Sequence, residues 1–176
     1  MANYFDHFGL SESFYIDESD LKKRYYQISK ENHPDRFVQS DKESQDKAQQ
    51  LTSKNNDAYQ TLKDFDDRMK YILSINKLLG DSQNEISQEF LMEMMDINEA
   101  LFELEMSHDV SQLSVVSKEV SDKKNQLLDE IEPLMKNYPD SDNNQKLEIL
   151  AQVKSYYLKN KYLLRILDKI ASFAAA

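Results

Sequence analysis

The chain has 176 residues with only 2 glycines and 3 prolines, no cysteine, and a formal net charge of −10. So few turn-forming residues predict helices and argue against a multi-stranded sheet. The absence of cysteine excludes disulfides and thiolate metal sites within this chain, and the acidic charge argues against nucleic-acid binding. No apolar run approaches the roughly 20 residues that span a bilayer, and the first residues lack the features of a leader, so we expect a cytoplasmic protein that does not bind membranes.

The first 75 residues carry the pattern of a small helical unit. An aromatic segment, Tyr4–Leu10, stops at Gly9, which suits a helix end. Asp17 is a plausible cap for a second helix, whose apolar positions are Leu21, Tyr25 and Ile28 and which must end before Pro34. After the polar loop Ser40–Ser44, one face of a third helix carries Ala48, Leu51, Asn55, Ala58 and Leu62. We therefore predict two antiparallel helices joined by a tip, with the short aromatic helix across their base.

A further helix over residues 65–79 ends at Gly80, and the polar stretch Asp81–Glu85 is the predicted linker. The predicted domain limits are 1–75 for the N-terminal unit, 76–86 for the connection, and 87–176 for a C-terminal module.

Three longer helices are predicted in the C-terminal module, and short connections favour an antiparallel three-helix bundle. The first runs from Ser87 to His108. Asp109 with Gln112, and Asp142 with Gln145, have the spacing of capping boxes for the other two. The predicted apolar stripes are Val116, Val120, Leu127, Ile131, Leu134 and Tyr138 in the second helix, and Leu147, Leu150, Val153, Tyr157, Leu164, Leu167 and Ile170 in the third.

Leu21–Lys30 is basic although the chain is acidic. It holds Lys22, Lys23, Arg24 and Lys30 and no acid, whereas residues 76–176 hold 11 basic and 18 acidic side chains. Such a strip fits a partner with an acidic docking surface, and the alternative is an ordinary solvated helix face.

The tripeptide His33-Pro34-Asp35 stands between the second and third predicted helices. Proline fixes its own φ angle and stops the preceding helix, so the imidazole and the carboxylate are expected on a rigid, exposed tip. A displayed carboxylate close to cations suits docking on a partner that offers an arginine and acidic patches.

Apolar residues surround nearly the whole start of the first C-terminal helix. Phe90, Met94, Ile97 and Leu101 form a continuous core stripe, which leaves other apolar residues on a second face: Leu91, Met92 and Met95. Adaptable methionines next to acids indicate a binding surface, and the alternative is packing against the N-terminal unit or a dimer partner.

These features resemble the J-domain family. The matching segments are the N-terminal aromatic helix, Lys22–Tyr25 before the tripeptide, and Asn56–Leu62 after it. The chain is similar to the HscB type of J-protein in particular, which serves iron–sulfur cluster assembly. That likeness rests on the start Tyr4–Leu10, on His33–Phe37, on Asp64, Arg68 and Tyr71–Leu73, and on Glu89–Leu101. Arg36, Phe65 and Asn98 depart from the residues typical of the family, which have Lys, Pro and Arg there.

The resemblance implies a division of labour. The N-terminal unit would stimulate a DnaK/HscA-class heat-shock chaperone ATPase through His33, Pro34, Asp35, Lys22, Lys23 and Arg24. The C-terminal bundle would hold an IscU-type iron–sulfur scaffold protein through a hydrophobic spot ringed by acids. The matching positions are Leu91, Met92, Met95, Asp96, Glu99 and Glu103, with Tyr157 from the last helix.

Three other functions remain in competition. An enzyme would need a nucleophile paired with a base, a phosphate loop or metal-ligand spacing, and the sequence offers none, so we expect no catalysis, no cofactor and no metal. A J-domain co-chaperone for a different client, or a helical adaptor whose His-Pro-Asp is accidental, would not require the acidic-rimmed methionine patch.

Overall fold

The structure, a computed structural model, describes residues 3–80, 86–107 and 113–174. Within these ranges every regular element is a helix, so the predicted all-α class is confirmed. The chain divides into two compact units: unit 1 is Met1–Lys77 with Tyr138–Asp140, and unit 2 is Leu78–Asn137 with Ser141–Ala176. The predicted linker Asp81–Glu85 and the predicted capping box at Asp109 lie outside the described residues, and the limits 1–75, 76–86 and 87–176 stay a prediction.

The four α-helices of unit 1 and its first 3-10 helix begin at side-chain caps. The described elements are α1 (Tyr4–Phe8), α2 (Glu18–Glu31), a 3-10 helix (Pro34–Phe37), α3 (Lys42–Lys63), α4 (Phe65–Ile75) and a second 3-10 helix (Tyr138–Asp140). Asp17 caps α2 as predicted, because its carboxylate accepts from the backbone N–H groups of Ser19 and Asp20. Gly9 ends α1 as predicted, with a left-handed φ of 62° that glycine adopts without strain.

The core of unit 1 lies between α2 and α3, with α1 and α4 packed on α3. Four of the five predicted α3 face residues are buried, but Leu51 is 41 % exposed. At this level α3 faces the end of α2, where the Thr52 hydroxyl donates to the carbonyl of Asn32 at 3.1 Å. Little side-chain surface therefore remains to cover Leu51. The buried apolar residues are Phe5, Phe8, Phe14, Leu21, Ala48, Ala58, Leu62, Met69, Ile72, Leu73 and Tyr138.

Two polar side chains fix the helices of unit 1 from inside. Asn55 is buried, and its amide donates to the Tyr25 carbonyl at 3.1 Å and to the Ser29 hydroxyl at 2.8 Å. Arg68 is also buried, and its guanidinium donates to the carbonyls of Phe14 and Leu62. Burial lowers the pKa of Arg68, yet a guanidinium keeps its charge in proteins. Both groups therefore donate hydrogen bonds to backbone or hydroxyl acceptors that would otherwise be buried without a partner.

Unit 2 contains α5 (Gln88–Glu93), α6 (Met95–Ser107), α7 (Leu113–Asn137) and α8 (Asn143–Ala174) among its described residues. The predicted first helix from Ser87 to His108 is therefore wrong as one element, because the helix breaks at Met94 (φ −87°, ψ 4°). The Met94 carbonyl accepts both the backbone N–H and the side-chain amide of Asn98, at 2.9 and 2.8 Å. Phe90 and Met94 are both buried on either side of the break, so the predicted core stripe survives it.

The helices α7 and α8 form most of the core of unit 2. The capping box between Asp142 and Gln145 is confirmed, with backbone-to-side-chain bonds of 3.1 and 2.9 Å. The predicted stripe of α8 is partly wrong: Leu147 is 64 % exposed, and the buried apolar residues are Ile149, Leu150, Val153, Tyr156, Leu163, Ile166 and Ile170.

In α7 the predicted Leu134 is only half-buried, and the fully buried residue is its neighbour Met135. Tyr138, which was predicted to continue this stripe, belongs to unit 1. There its hydroxyl donates to a Glu12 carboxylate oxygen at 2.6 Å, and its ring meets Phe14 edge-on. Burial, and then the bond to Glu12, raises the pKa of Tyr138.

Candidate functional site

The tip of unit 1 displays His33 and Asp35 to solvent. Their side chains are 57 % and 86 % exposed. Pro34 is the first residue of the 3-10 helix, and His33 caps that helix because its Nδ1 accepts from the Asp35 backbone N–H at 3.3 Å. An imidazole that accepts at Nδ1 carries its proton on Nε2. The tip therefore offers one ring donor and one carboxylate in a fixed arrangement.

Two side chains, Arg36 of the tip itself and Gln45 of α3, hold this tip in place. Arg36 Nη1 donates to the Lys30 carbonyl at 3.0 Å, which ties the 3-10 helix to the end of α2. Gln45 donates to the carbonyls of Val38 and Ser40 at 3.2 and 3.0 Å, which ties the following loop to α3. Arginine serves this purpose as lysine would not, since its planar fork reaches a carbonyl with a directed N–H.

The basic residues of α2 differ in their surroundings. Lys22 and Lys23 are exposed. Arg24 is half-exposed, and its Nε donates to Asp20 Oδ2 at 2.8 Å while its Nη1 donates to the carbonyls of Phe8 and Gly9 at 2.8 and 3.2 Å. Arg24 thus joins α2 to the end of α1, a contact that the sequence pattern did not indicate.

An exposed aromatic residue, Tyr26, was not predicted as part of this surface. It is 59 % exposed and stands four residues after Lys22 and three after Lys23, which is the spacing of neighbours on one helix face. That spacing is the signal from which the sequence could have identified it.

Unit 2 carries the second predicted site on α5 and α6. The core stripe Phe90, Met94, Ile97 and Leu101 is buried, as predicted. The other apolar residues are outside: Leu91 is 42 %, Met92 73 % and Met95 65 % exposed. Three exposed acids follow on α6: Asp96, Glu99 and Glu103. We call these six residues the α5–α6 patch.

Contacts with α7 and α8 brace α5 and the first part of α6 in unit 2. Lys123 Nζ lies 2.7 Å from a Glu93 carboxylate oxygen, and this lysine lowers the pKa of Glu93. The Tyr162 hydroxyl donates to Asn98 Oδ1 at 2.9 Å, and the Phe90 ring meets the Tyr162 ring edge-on. Tyr157, the predicted aromatic contact, is half-buried on α8, whereas its neighbour Tyr156 is buried.

Neither a metal centre nor a membrane-spanning helix is found among the described residues. No group of three His, Cys, Asp or Glu side chains among them could hold a metal ion. No described helix has the length and apolarity that crossing a membrane would demand.

A helical hairpin that carries His-Pro-Asp on a braced, exposed tip defines a J-domain protein, the class of co-chaperones that act on Hsp70-type chaperone ATPases. Comparison with known families agrees on this class. The DnaJ domain model matches residues 3–71, and the model described as the HSCB C-terminal oligomerisation domain matches residues 86–171.

Individual relatives match along most of the chain. It is 33 % identical over 159 residues to the co-chaperone protein HscB homolog of Vibrio vulnificus strain YJ016, covering 87 % of this chain and 93 % of the relative. The chaperone HscB from Vibrio cholerae has a TM-score of 0.68 at 26 % identity and covers 98 % of both chains. The human co-chaperone protein HscB has a TM-score of 0.71 at 26 % identity, covering 97 % of this chain and 81 % of the human one.

The chain belongs to the HscB family of co-chaperones. As a member it is a J-domain co-chaperone of iron–sulfur cluster assembly, and it regulates a partner of the Hsp70 type. The predicted family and function are therefore confirmed, while the roles of individual residues stay predictions.

Proposed function

We propose that this co-chaperone is not itself an enzyme, that it stimulates a DnaK/HscA-class ATPase through unit 1, and that it brings to that ATPase an IscU-type iron–sulfur scaffold protein held by unit 2. The observation that carries the client half of the proposal is the α5–α6 patch. Its apolar side chains are exposed although the helix already supplies a complete core stripe. Exposed, adaptable apolar residues with an acidic rim favour a protein partner.

At the tip, His33, Pro34 and Asp35 would form the contact through which ATP hydrolysis in the partner is stimulated. Asp35 can accept a bidentate pair from an arginine, and a His33 ring that is capped through Nδ1 can donate from Nε2. Pro34 fixes the distance between the two groups. The braces from Arg36 and Gln45 mean that little conformational freedom remains to be lost on docking.

On α2, Lys22 and Lys23 would approach an acidic surface of the ATPase. Arg24 would add to the same positive field, although its donors are engaged by Asp20, Phe8 and Gly9. Exposed charges of this kind raise the association rate and orient the encounter more than they add affinity.

On unit 2, Leu91, Met92 and Met95 would enter the client interface, with Asp96, Glu99 and Glu103 as its acidic rim and Tyr157 at its edge. Apolar anchors at the centre of an interface carry most of its binding energy, and rim charges contribute to steering.

The exposure of the tip supports a regulatory role over a catalytic one. A general acid–base pair works best in a site that excludes water, where its field is not screened. His33 and Asp35 are more than half exposed. We propose the cytoplasm as the compartment, in line with the likeness to bacterial co-chaperones, and cell fractionation tests it.

The test of the client half is a calorimetric titration with a purified IscU-type scaffold protein. The triple variant Leu91→Ala/Met92→Ala/Met95→Ala should bind at least about tenfold more weakly, because apolar anchors cost more than about 1 kcal/mol each when truncated. Exposed positions leave the core intact, so the melting temperature should stay unchanged. Phe90→Ala is the matched control from the buried face, and it should lower the melting temperature, since emptying a core position costs roughly 3–5 kcal/mol.

A scaffold that binds the triple variant as tightly as the wild type would refute the client surface. A wild-type chain that binds no scaffold while it still stimulates the ATPase would favour the J-domain co-chaperone of a different client.

A further inference from the structure

A second group of exposed apolar side chains continues along α6 beyond the α5–α6 patch. Phe102 is 61 % exposed and Met106 is 72 % exposed, close to the 65 % of Met95. At about 100° per residue, these three side chains leave the helix within about 20° of one direction. Exposed apolar residues that occur singly are normal, whereas three on one line form a surface. We call Met95, Phe102 and Met106 the α6 strip.

The α6 strip is not part of the core of unit 2. Among the α6 side chains that the structure describes, the buried ones are Ile97 and Leu101, which lie about 100° or more around the helix from the strip. The first and last members of the strip are 11 positions apart in sequence, or about 16 Å at 1.5 Å per residue. That length accommodates several turns of a partner helix or an extended segment of about five residues.

The charge beside the strip restricts what can cover it. Asp96, Glu99 and Glu103 are exposed and lie on one flank, within about 40–100° of the strip. The sequence from 86 to 107 contains six acids and neither lysine nor arginine. An occupant that meets this face must therefore bring apolar side chains together with basic ones.

A second copy of the chain fits poorly. In a two-fold interface the same surface meets itself, so the acids of one copy would face the acids of the other. The whole chain adds to this repulsion with a net charge of −10. A client protein that offers apolar and basic side chains supplies the complementary chemistry that this face of a second copy lacks.

We propose that the α6 strip extends the client-binding surface, so that an apolar segment of the client flanked by Lys or Arg lies along α6 as far as Met106. This rests on the proposed function, because Met95 belongs to both the strip and the patch. Phe102 and Met106 then become specificity-determining residues in addition to those that the family resemblance implies.

The experiment is a calorimetric titration of purified IscU-type scaffold protein into full-length variants. Phe102→Ala/Met106→Ala should raise the dissociation constant about tenfold or more, the size expected for apolar anchors. Leu147→Ala, at an apolar side chain of α8 that is 64 % exposed, is the matched control and should leave it unchanged. Stimulation of the ATPase and the melting temperature should remain those of the wild type in both variants.

Two variants that differ in charge provide a second test in case Phe102→Ala/Met106→Ala loses stability. Met106→Lys should weaken client binding more than Met106→Glu, because a basic client is repelled by the first and attracted by the second. Equal binding by the two would overturn the basic chemistry assigned to the client.

The remaining outcomes separate this inference from the proposed function. If the double variant binds the scaffold normally while Leu91→Ala/Met92→Ala/Met95→Ala does not, the strip is refuted and the client surface stands. If the wild type binds no scaffold protein, the proposed client function and the inference about the α6 strip are both refuted. If sedimentation shows a wild-type dimer that the double variant dissociates, with client affinity unchanged, the strip is a self-association surface and the proposal is overturned.

Discussion

Three consecutive basic residues of α2 carry the same charge in different surroundings. Lys22 and Lys23 project into solvent, whereas Arg24 bonds to Asp20 and to the carbonyls of Phe8 and Gly9. Gly9 also permits this approach sterically, because a Cβ there would lie 3.2 Å from Arg24 Nη1. Mutations can therefore separate the effect of the charge of Lys22 and Lys23 on docking from the contribution of the Arg24 contacts to stability.

We expect Lys22→Glu and Lys23→Glu to reduce stimulation of the partner ATPase several-fold and to leave stability within about 0.5 kcal/mol, as exposed substitutions do. The wild-type effect should weaken as salt rises, since exposed charges are screened over roughly 8 Å at physiological ionic strength. Arg24→Lys should instead lower the free energy of unfolding by about 1–2 kcal/mol, because lysine keeps the charge and loses the directed fork.

Single-turnover ATP hydrolysis and thermal melting, measured on the same three variants, check this prediction. Docking that is insensitive to salt and to both lysine reversals would make α2 an ordinary solvated face. An unchanged melting temperature for Arg24→Lys would mean that its three contacts contribute nothing to stability.

Single residues also show which features the sequence could predict and which it could not. The cap at Asp17 was predictable because its short side chain bonds to the next few residues, and the stop at Gly9 because glycine adopts a positive φ. The predicted stop at Gly80 was wrong, since α4 ends at Ile75. The contact of Arg24 with α1 depends on two backbone carbonyls brought together by folding, and no local pattern encodes it. The exposure of Leu51 likewise depends on where the neighbouring helix ends.

At the scale of elements, α8 illustrates where periodicity becomes ambiguous. Apolar residues stand side by side at four places along it: Ile149-Leu150, Tyr156-Tyr157, Leu163-Leu164 and Ile166-Leu167. Two overlapping stripes then satisfy the helical period, and the buried one depends on how α7 packs. In α2 the predicted Leu21 is buried while Tyr25 and Ile28 are half-buried, and in α3 only Leu51 of the five predicted residues is exposed.

The buried face of α8 contains one polar residue, Asn160. It is 4 % exposed, and no hydrogen-bond partner for its Oδ1 occurs among the described residues. A buried acceptor without a partner costs roughly 1–3 kcal/mol, and an apolar side chain of similar shape removes that cost. We expect Asn160→Leu to raise the free energy of unfolding by about 1 kcal/mol, which corresponds to about 2–4 °C in melting temperature for a chain of this size.

Thermal and urea unfolding of Asn160→Leu test this expectation. Asn144→Leu, at an exposed position of the same helix, is the control for added hydrophobicity and should change stability little. A lower melting temperature for Asn160→Leu would mean that the Asn160 side chain makes a stabilising bond, for example through a buried water.

At the scale of the whole molecule, the two proposed tasks lie on different units. The tip residues His33 and Asp35 belong to unit 1, and the α5–α6 patch belongs to unit 2. Each surface is exposed on its own unit and is braced by contacts within that unit, such as those of Arg36 and Tyr162. Loss of one surface should therefore leave the other in its working geometry.

This separation predicts a double dissociation. His33→Gln should reduce ATPase stimulation to the unstimulated rate, because it removes the imidazole that caps the 3-10 helix and donates from the tip. Its scaffold affinity should stay within about twofold of the wild type, and loss of the cap should lower the free energy of unfolding by about 1 kcal/mol, which leaves the chain folded. The variant Leu91→Ala/Met92→Ala/Met95→Ala should show the reverse: weak scaffold binding and full stimulation of the ATPase in the absence of scaffold.

Calorimetry and single-turnover hydrolysis on both variants, with circular dichroism as the control for folding, measure all four quantities. Full stimulation by a folded His33→Gln would remove the tip from the mechanism, and a triple variant that loses both activities while folded would show that the two units depend on each other.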